Sequence, residues 1–439
     1  MQPSSEPRRL LVFCDGTWCG PETGTRTNIQ ILAEMVDIDV TGGKLEVDSK
    51  ERNLKARYFY GIGLGSTFIS YLFNGSTAND ISTMCVETYR WIAENFEEGT
   101  EVWMFGLSRG AYTVRCVSGM INNCGVVRRP FGSSMCDEVY RIYSSPYDED
   151  KPDSTQSQIF RAQASWPDTI PIKFLGLFDT VGSIGIPTID AGNGPSYPTL
   201  WDQVVPSVVQ TVYHACSLHD RLSVFQPCLT KLSEKEEKTR QRPQITEQWF
   251  PGCHYDLGRQ KFKFLRQRVH GLEAWLSVIP NALSKTLEPN EVLSDLVLSW
   301  MLQSIKKTFP LQHAIEDIDT EISALDISIA KVDKGVGSGD VYSKPLAYAP
   351  FGLLLSAFNT PAVLSDTARV LLALRDRRIP DDKAIVYPYH KPYGEQRTSI
   401  EKLAKLTPER YPSKTFSAFK EWQKYFGVAS KQDRTNGFA

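Results

Sequence analysis

The chain has 439 residues, 41% hydrophobic and 23% charged, with a formal net charge of −2. That is long enough for a large buried core and lacks the basic field of a nucleic-acid binder, so no nucleic-acid partner is expected. No apolar run reaches 18 residues, and the N-terminus MQPSSEPRRLLVFCDGTW carries no stretch of signal-peptide length, which excludes a membrane-spanning class and makes a cytoplasmic location the expectation.

Residues 9–15 (RLLVFCD) form a short apolar run ending at Asp15-Gly16-Thr17, a buried strand by length and composition. Residues 55–61 (KARYFYG) alternate and read as a second strand. Residues 78–95 have helical period, with Ile81, Met84, Cys85, Thr88, Trp91 and Ile92 on one stripe. A strand over 102–105 and a helix over 112–123 follow, then a strand over 172–178 ending at Asp179. YHACSLHDR, with His214 and His219, reads as helix, and 246–250 as a strand entering a loop, 252–258, that carries His254. Further on, 292–305 is helical. Ile315, Ile318, Ile322, Leu325, Ile329 and Val332 repeat at three and four, the seam of a helix docked on the domain. Strands alternating with helices predict an α/β fold: a mainly parallel sheet with helices on both faces, plus a helical C-terminal extension. The domain expectation is a catalytic domain over 8–305, with an insertion at 259–290, and an extension over 306–439 packed on it. Nine scattered cysteines without C-x-x-C spacing read as free buried thiols rather than disulfides or zinc ligands, and no metal or organic cofactor is expected.

The densest signal is EVWMFGLSRG, an apolar run that ends at Gly106-Leu107-Ser108-Arg109-Gly110 and continues into a helix. This is the G-x-S-x-G nucleophile elbow in its strand–turn–helix context. Gly106 and Gly110 remove side chains that would strike the backbone of the strained turn, and the helix start beside Ser108 turns N–H donors toward a developing oxyanion. A serine nucleophile needs a base and an orienting carboxylate. Of six histidines, His254 follows a strand in a loop able to carry it over the sheet, whereas His214 and His219 read as structural hydrogen-bonding residues. Asp179 ends its own strand. The order Ser108–Asp179–His254, with gaps of 71 and 75 residues, is the one expected on an α/β-hydrolase sheet. The amide of Arg109 and that of Gly16 or Thr17 are the expected oxyanion donors, with Asp15 in a supporting role. Asp15-Gly16-Thr17 also suggests an aspartyl phosphatase, but D-x-D-x-T is broken by Phe13.

CDGTW with Thr27-Asn28, then GLSRGAYTVR, FLGLFDTVG, VYHACSLHD and EQWFPGCHYDLG, occur in order. Together they resemble the α/β-hydrolase domain shared with the catalytic domain of type VI secretion phospholipase effectors and widespread in fungi. The resemblance covers roughly residues 8–305. It implies Ser108 as nucleophile, Asp179 as acid, His254 as base, and hydrolysis of acyl esters, with phospholipids the substrates of the bacterial effectors. Two departures stand out. S-D-V-G-G-G after the family's histidine is here Tyr255-Asp256-Leu257-Gly258-Arg259-Gln260, and about thirty residues intervene before the helix LSDLVLSWM.

That intervening stretch opens with Arg259, Lys261, Lys263, Arg266 and Arg268 among Phe262, Phe264 and Leu265. Residues 259–280 are therefore a candidate lid or peripheral membrane contact attracted to anionic headgroups, set against a plainer packed insertion. The expected function is a serine hydrolase that cleaves carboxylic esters, lipid or phospholipid esters foremost, through an acyl-enzyme. A short-chain esterase or thioesterase and a catalytically idle hydrolase fold used for binding are the alternatives.

Overall fold

The computed structural model describes residues 7–20, 24–63, 76–167, 171–182, 188–189, 195–196, 204–222, 225–232, 243–261, 285–309, 315–331, 335–343, 374–377, 379, 385–386, 404–413 and 415. Most of the 259–290 insertion and most of the C-terminal region expected as an extension lie outside them. The chain divides into two compact units. The first is Met1–His214, Pro227–Glu247 and Met301–Ile318; the second is Ala215–Gln226, Gln248–Trp300 and Asp319–Ala439.

In the first unit the strands are β1 (Arg9–Cys14), β2 (Glu46–Ser49), β3 (Leu54–Phe59), β4 (Glu101–Leu107) and β5 (Ile172–Phe178). Thr188–Ile189 (β6) and Pro195–Ser196 (β7) form a small antiparallel ribbon. The unit also holds the beginnings of β8 (Val209–Ser217) and β9 (Gln244–Phe250). The order is β9-β8-β5-β4-β1-β3-β2. β1 pairs parallel with both β3 and β4, and β4 with β5, while β2 runs antiparallel to β3 at the edge. All six residues of β1 are buried, as a central parallel strand covered on both faces requires. An aromatic ladder crosses the sheet. Phe13 stacks on Phe105 at 5.3 Å, Phe105 meets Phe174 at 5.7 Å, and Phe174 stacks on Tyr213 at 5.5 Å. Gly176 makes room for it: a Cβ there would stand 2.6 Å from the Phe105 ring.

The helices of this unit are α1 (Asn28–Glu34), α2 (Ser76–Asn95), α3 (Arg109–Cys124), α4 (Arg129–Ser144) and α5 (Thr155–Ala164). Helix α3 packs on β4, and α2 and α4 pack against it. The second unit contains α6 (His254–Gly258), most of α7 (Glu291–Thr308), α8 from its second residue (Ile318–Ile329) and β10 (Ile385–Val386), which pairs parallel with β9 at Gln248 and Trp249.

Two expectations change. YHACSLHDR is not helix but the end of strand β8 and the turn after it. The strand is buried along nearly its whole length, so the alternation that would have marked it is missing. The segment after β9 is not a plain loop; its last five residues are helix α6. All nine cysteines are free and buried. No helix among the described residues is long and apolar enough to cross a membrane.

Candidate active site

Strand β4 delivers Ser108 into a turn that only small neighbours permit. Ser108 sits at φ 56°, ψ −118° immediately before α3, a region that costs a non-glycine residue energy. A Cβ at Gly106 would stand 2.5 Å from the Cα and amide nitrogen of Ala111, and one at Gly110 would strike the carbonyl oxygens of Cys14 and Asp15. Both motif glycines are therefore sterically required, the second because the end of β1 passes directly over it.

The same turn gathers Asp179. The Ser108 amide donates to the Phe178 carbonyl at 2.9 Å, and the Val181 amide donates to the Ser108 carbonyl at 3.3 Å. The 178–181 turn is thus tied at both ends to the Ser108 backbone, with Asp179 and Thr180 between the ties. Asp179 is fully buried and adopts φ 44°.

The loop after β1 is ordered around the buried Asp15. Its carboxylate accepts from the Gly16 amide at 2.6 Å, from the Thr27 hydroxyl at 2.5 Å and from the Tyr58 hydroxyl. Thr27 also N-caps α1, its hydroxyl oxygen accepting from the Gln30 amide at 3.0 Å. Burial outweighs these hydrogen bonds and pushes the Asp15 carboxyl up to about 6. The Gly16 amide, expected as an oxyanion donor, is spent on Asp15. The Thr17 hydroxyl accepts from Nε of Arg109, which joins this loop to the residue that opens α3. Helix geometry turns the first amides of α3 toward the strand end.

His214 hydrogen-bonds to this cluster. Its Nε2 accepts from the Thr180 amide at 3.1 Å, and its Nδ1 lies 3.1 Å from Glu247. These are ligand-type side chains, but both ring nitrogens already face a partner. The contacts of Glu247, Thr27 and Tyr58 were not expected from the sequence, although Thr27 and Glu247 lie within the motifs that carry the family resemblance; each comes from a different element.

His254 belongs to the second unit. It opens α6 behind Cys253, and Asp256 closes the cap by accepting from the Cys253 amide at 2.8 Å. Its own amide donates to Asp220 at 3.1 Å, and its ring stacks on Phe225 at 4.8 Å. Asp220 is fully buried, which raises its carboxyl, with Arg377 and His254 opposing. Asp256 also accepts from the Asn290 amide at 2.8 Å and from the Tyr411 hydroxyl at 3.2 Å, and burial pushes it up to about 6. Of the basic residues expected to face a membrane, Arg259 pairs with Asp295, and Lys261 with Glu288 at 2.9 Å. Lys263, Arg266 and Arg268 lie outside the described residues.

A mostly parallel sheet with a serine in a glycine-framed strand-to-helix turn defines an α/β protein of hydrolase-like architecture. The chain belongs to the family described as T6SS, Phospholipase effector Tle1-like, catalytic domain, which matches residues 8–304. It therefore carries a phospholipase-type catalytic domain. An uncharacterised protein of Saccharomyces cerevisiae is 28% identical over 172 residues, which are 37% of this chain and 23% of the yeast protein. The chain thus spans less than a quarter of that relative. A solved structure of the Tle1 effector bound to the VgrG spike from the type 6 secretion system aligns with 75% of this chain and 80% of its own, at 17% identity and TM-score 0.37. An uncharacterised protein from Pseudomonas aeruginosa aligns with 92% of this chain and 60% of its own, at 14% identity and TM-score 0.33.

Proposed function

We propose that the protein is a serine hydrolase of lipid carboxylic esters, phospholipid acyl esters foremost. The observation that carries this reading is the double tie between the Ser108 backbone and the turn holding Asp179. A serine at positive φ and a buried aspartate in adjoining turns joined by hydrogen bonds support this reading, in which a histidine stands between the two. The family supports the lipid class of substrate.

In the proposed reaction Ser108 attacks the ester carbonyl and gives its proton to His254, while Asp179 orients the imidazole and stabilises its charged form. His254 enters on its chemistry, the Ser–Asp–His order and its position after β9. The Arg109 and Thr17 amides hold the oxyanion; Gly16 supports the loop through Asp15. His254 then gives that proton to the departing alcohol, which leaves an acyl-enzyme; the neutral His254 takes a proton from the water that attacks it, and Ser108 and the free acid are released.

Fatty-acid release from phospholipid vesicles tests the proposal. Wild type is expected to release it, with Ser108→Ala and His254→Ala each lowering the rate by about 10⁶-fold and Asp179→Asn by about 10⁴-fold. Retained release in Ser108→Ala refutes the mechanism. Cleavage of short esters or thioesters alone would move the substrate to that class, and a folded chain inert to every ester would leave an idle binding fold.

A further inference from the structure

The turn after β5 is held by partners far along the chain. The Thr180 amide donates to Nε2 of His214 at 3.1 Å, and the Thr180 carbonyl accepts from the Cys228 amide at 2.8 Å. On the other side of the fully buried His214 ring, Nδ1 lies 3.1 Å from Glu247. The same Glu247 oxygen accepts from the amide and the hydroxyl of Thr230, each at 3.0 Å. Arg115, from the helix that begins beside Ser108, closes the network by donating to the carbonyls of Cys228 and Leu229.

The donors fix the tautomer. An amide N–H can only donate, so Nε2 is unprotonated and the ring proton sits on Nδ1, facing Glu247. Burial raises the Glu247 carboxyl, but its hydrogen bond and charge interaction with His214, together with the bonds from Thr230, outweigh burial and hold it below its ordinary value. The ionised Glu247 selects the Nδ1–H form and keeps Nε2 available to Thr180. With both nitrogens engaged, His214 is not the base for Ser108.

We infer that His214 is a positioning residue: its Nε2, oriented by Glu247, holds the Thr180 amide and so fixes the adjacent Asp179 for acyl transfer. This rests on the reading of Ser108 as nucleophile and Asp179 as acid.

Two substitutions separate the ring nitrogens. Glutamine sets its amide oxygen near the place of Nε2 and keeps an acceptor for Thr180, whereas asparagine reaches only the place of Nδ1 and keeps the contact to Glu247. Phosphonylation of Ser108 at rising fluorophosphonate concentration yields kinact and KI for each full-length variant. His214→Gln is expected to keep kinact within about threefold of wild type, and His214→Asn to lower it by about ten- to a hundredfold with KI unchanged. Equal kinact in the two variants overturns the inference. A folded wild type that is not phosphonylated on Ser108 overturns the nucleophile reading instead. A 15N-histidine spectrum of wild type needs no variant: a neutral Nδ1–H imidazole is expected, and its absence among all six histidines overturns the inference.

Discussion

The turn after β4 and the turn after β5 set the same problem and are held by different physics. Each places a non-glycine residue at positive φ, Ser108 at 56° and Asp179 at 44°. The first is enforced sterically and locally: a side chain at Gly106 or Gly110 would strike neighbouring backbone. The second, Asp179-Thr180-Val181, contains no glycine and is held by hydrogen bonds with Ser108, His214 and Cys228. Strain held by neighbouring glycines leaves a motif in the sequence. Strain held by distant hydrogen-bond partners leaves none.

Gly110→Ala should break the first turn outright. Its Cβ would meet backbone oxygens of Cys14 and Asp15, which cannot swing aside as a side chain would. A loss of about 3 kcal/mol or more in urea unfolding is expected; wild-type stability would remove the steric account.

The loop over that glycine carries a smaller, pH-dependent effect. With Asp15 pushed up to about 6, the folded state holds this proton more tightly than the unfolded chain does between about pH 4 and pH 6. Asp15 therefore contributes stability that is present below about pH 4 and lost as pH rises through 6. Relative to Asp15→Asn, wild type should lose about 2 kcal/mol between pH 4 and pH 7. Asp256 titrates in the same range but cancels in the comparison. A difference that does not change with pH would contradict the burial of this charge.

The smallest effect sharpens the contrast between the turns. Ser108→Gly should abolish ester cleavage yet raise stability by about 1 kcal/mol, because the φ strain is relieved. An unchanged or lower unfolding midpoint would mean that the elbow stores no strain.

The parts written in local pattern were legible. β1, β4, β5 and the helix after Ser108 follow from apolar runs and their punctuation, and the family resemblance from ordered motifs. β8 was misread because its buried residues do not alternate. Helix α5 went unseen because it buries only Ser157 and Ala164, so no apolar stripe exists to be read. The places of Asp15, Ser108 and Asp179 just beyond the ends of β1, β4 and β5 could be read from the apolar runs they close. The contacts of Glu247, Thr27 and Tyr58 could not, since each residue becomes a partner only when a separate element packs into place.

The most direct test is the site of fluorophosphonate attachment, read by mass spectrometry of the folded full-length protein. One adduct is predicted on the peptide containing Ser108, and none in Ser108→Ala. An adduct on another residue, or none on the folded wild type, would contradict the account.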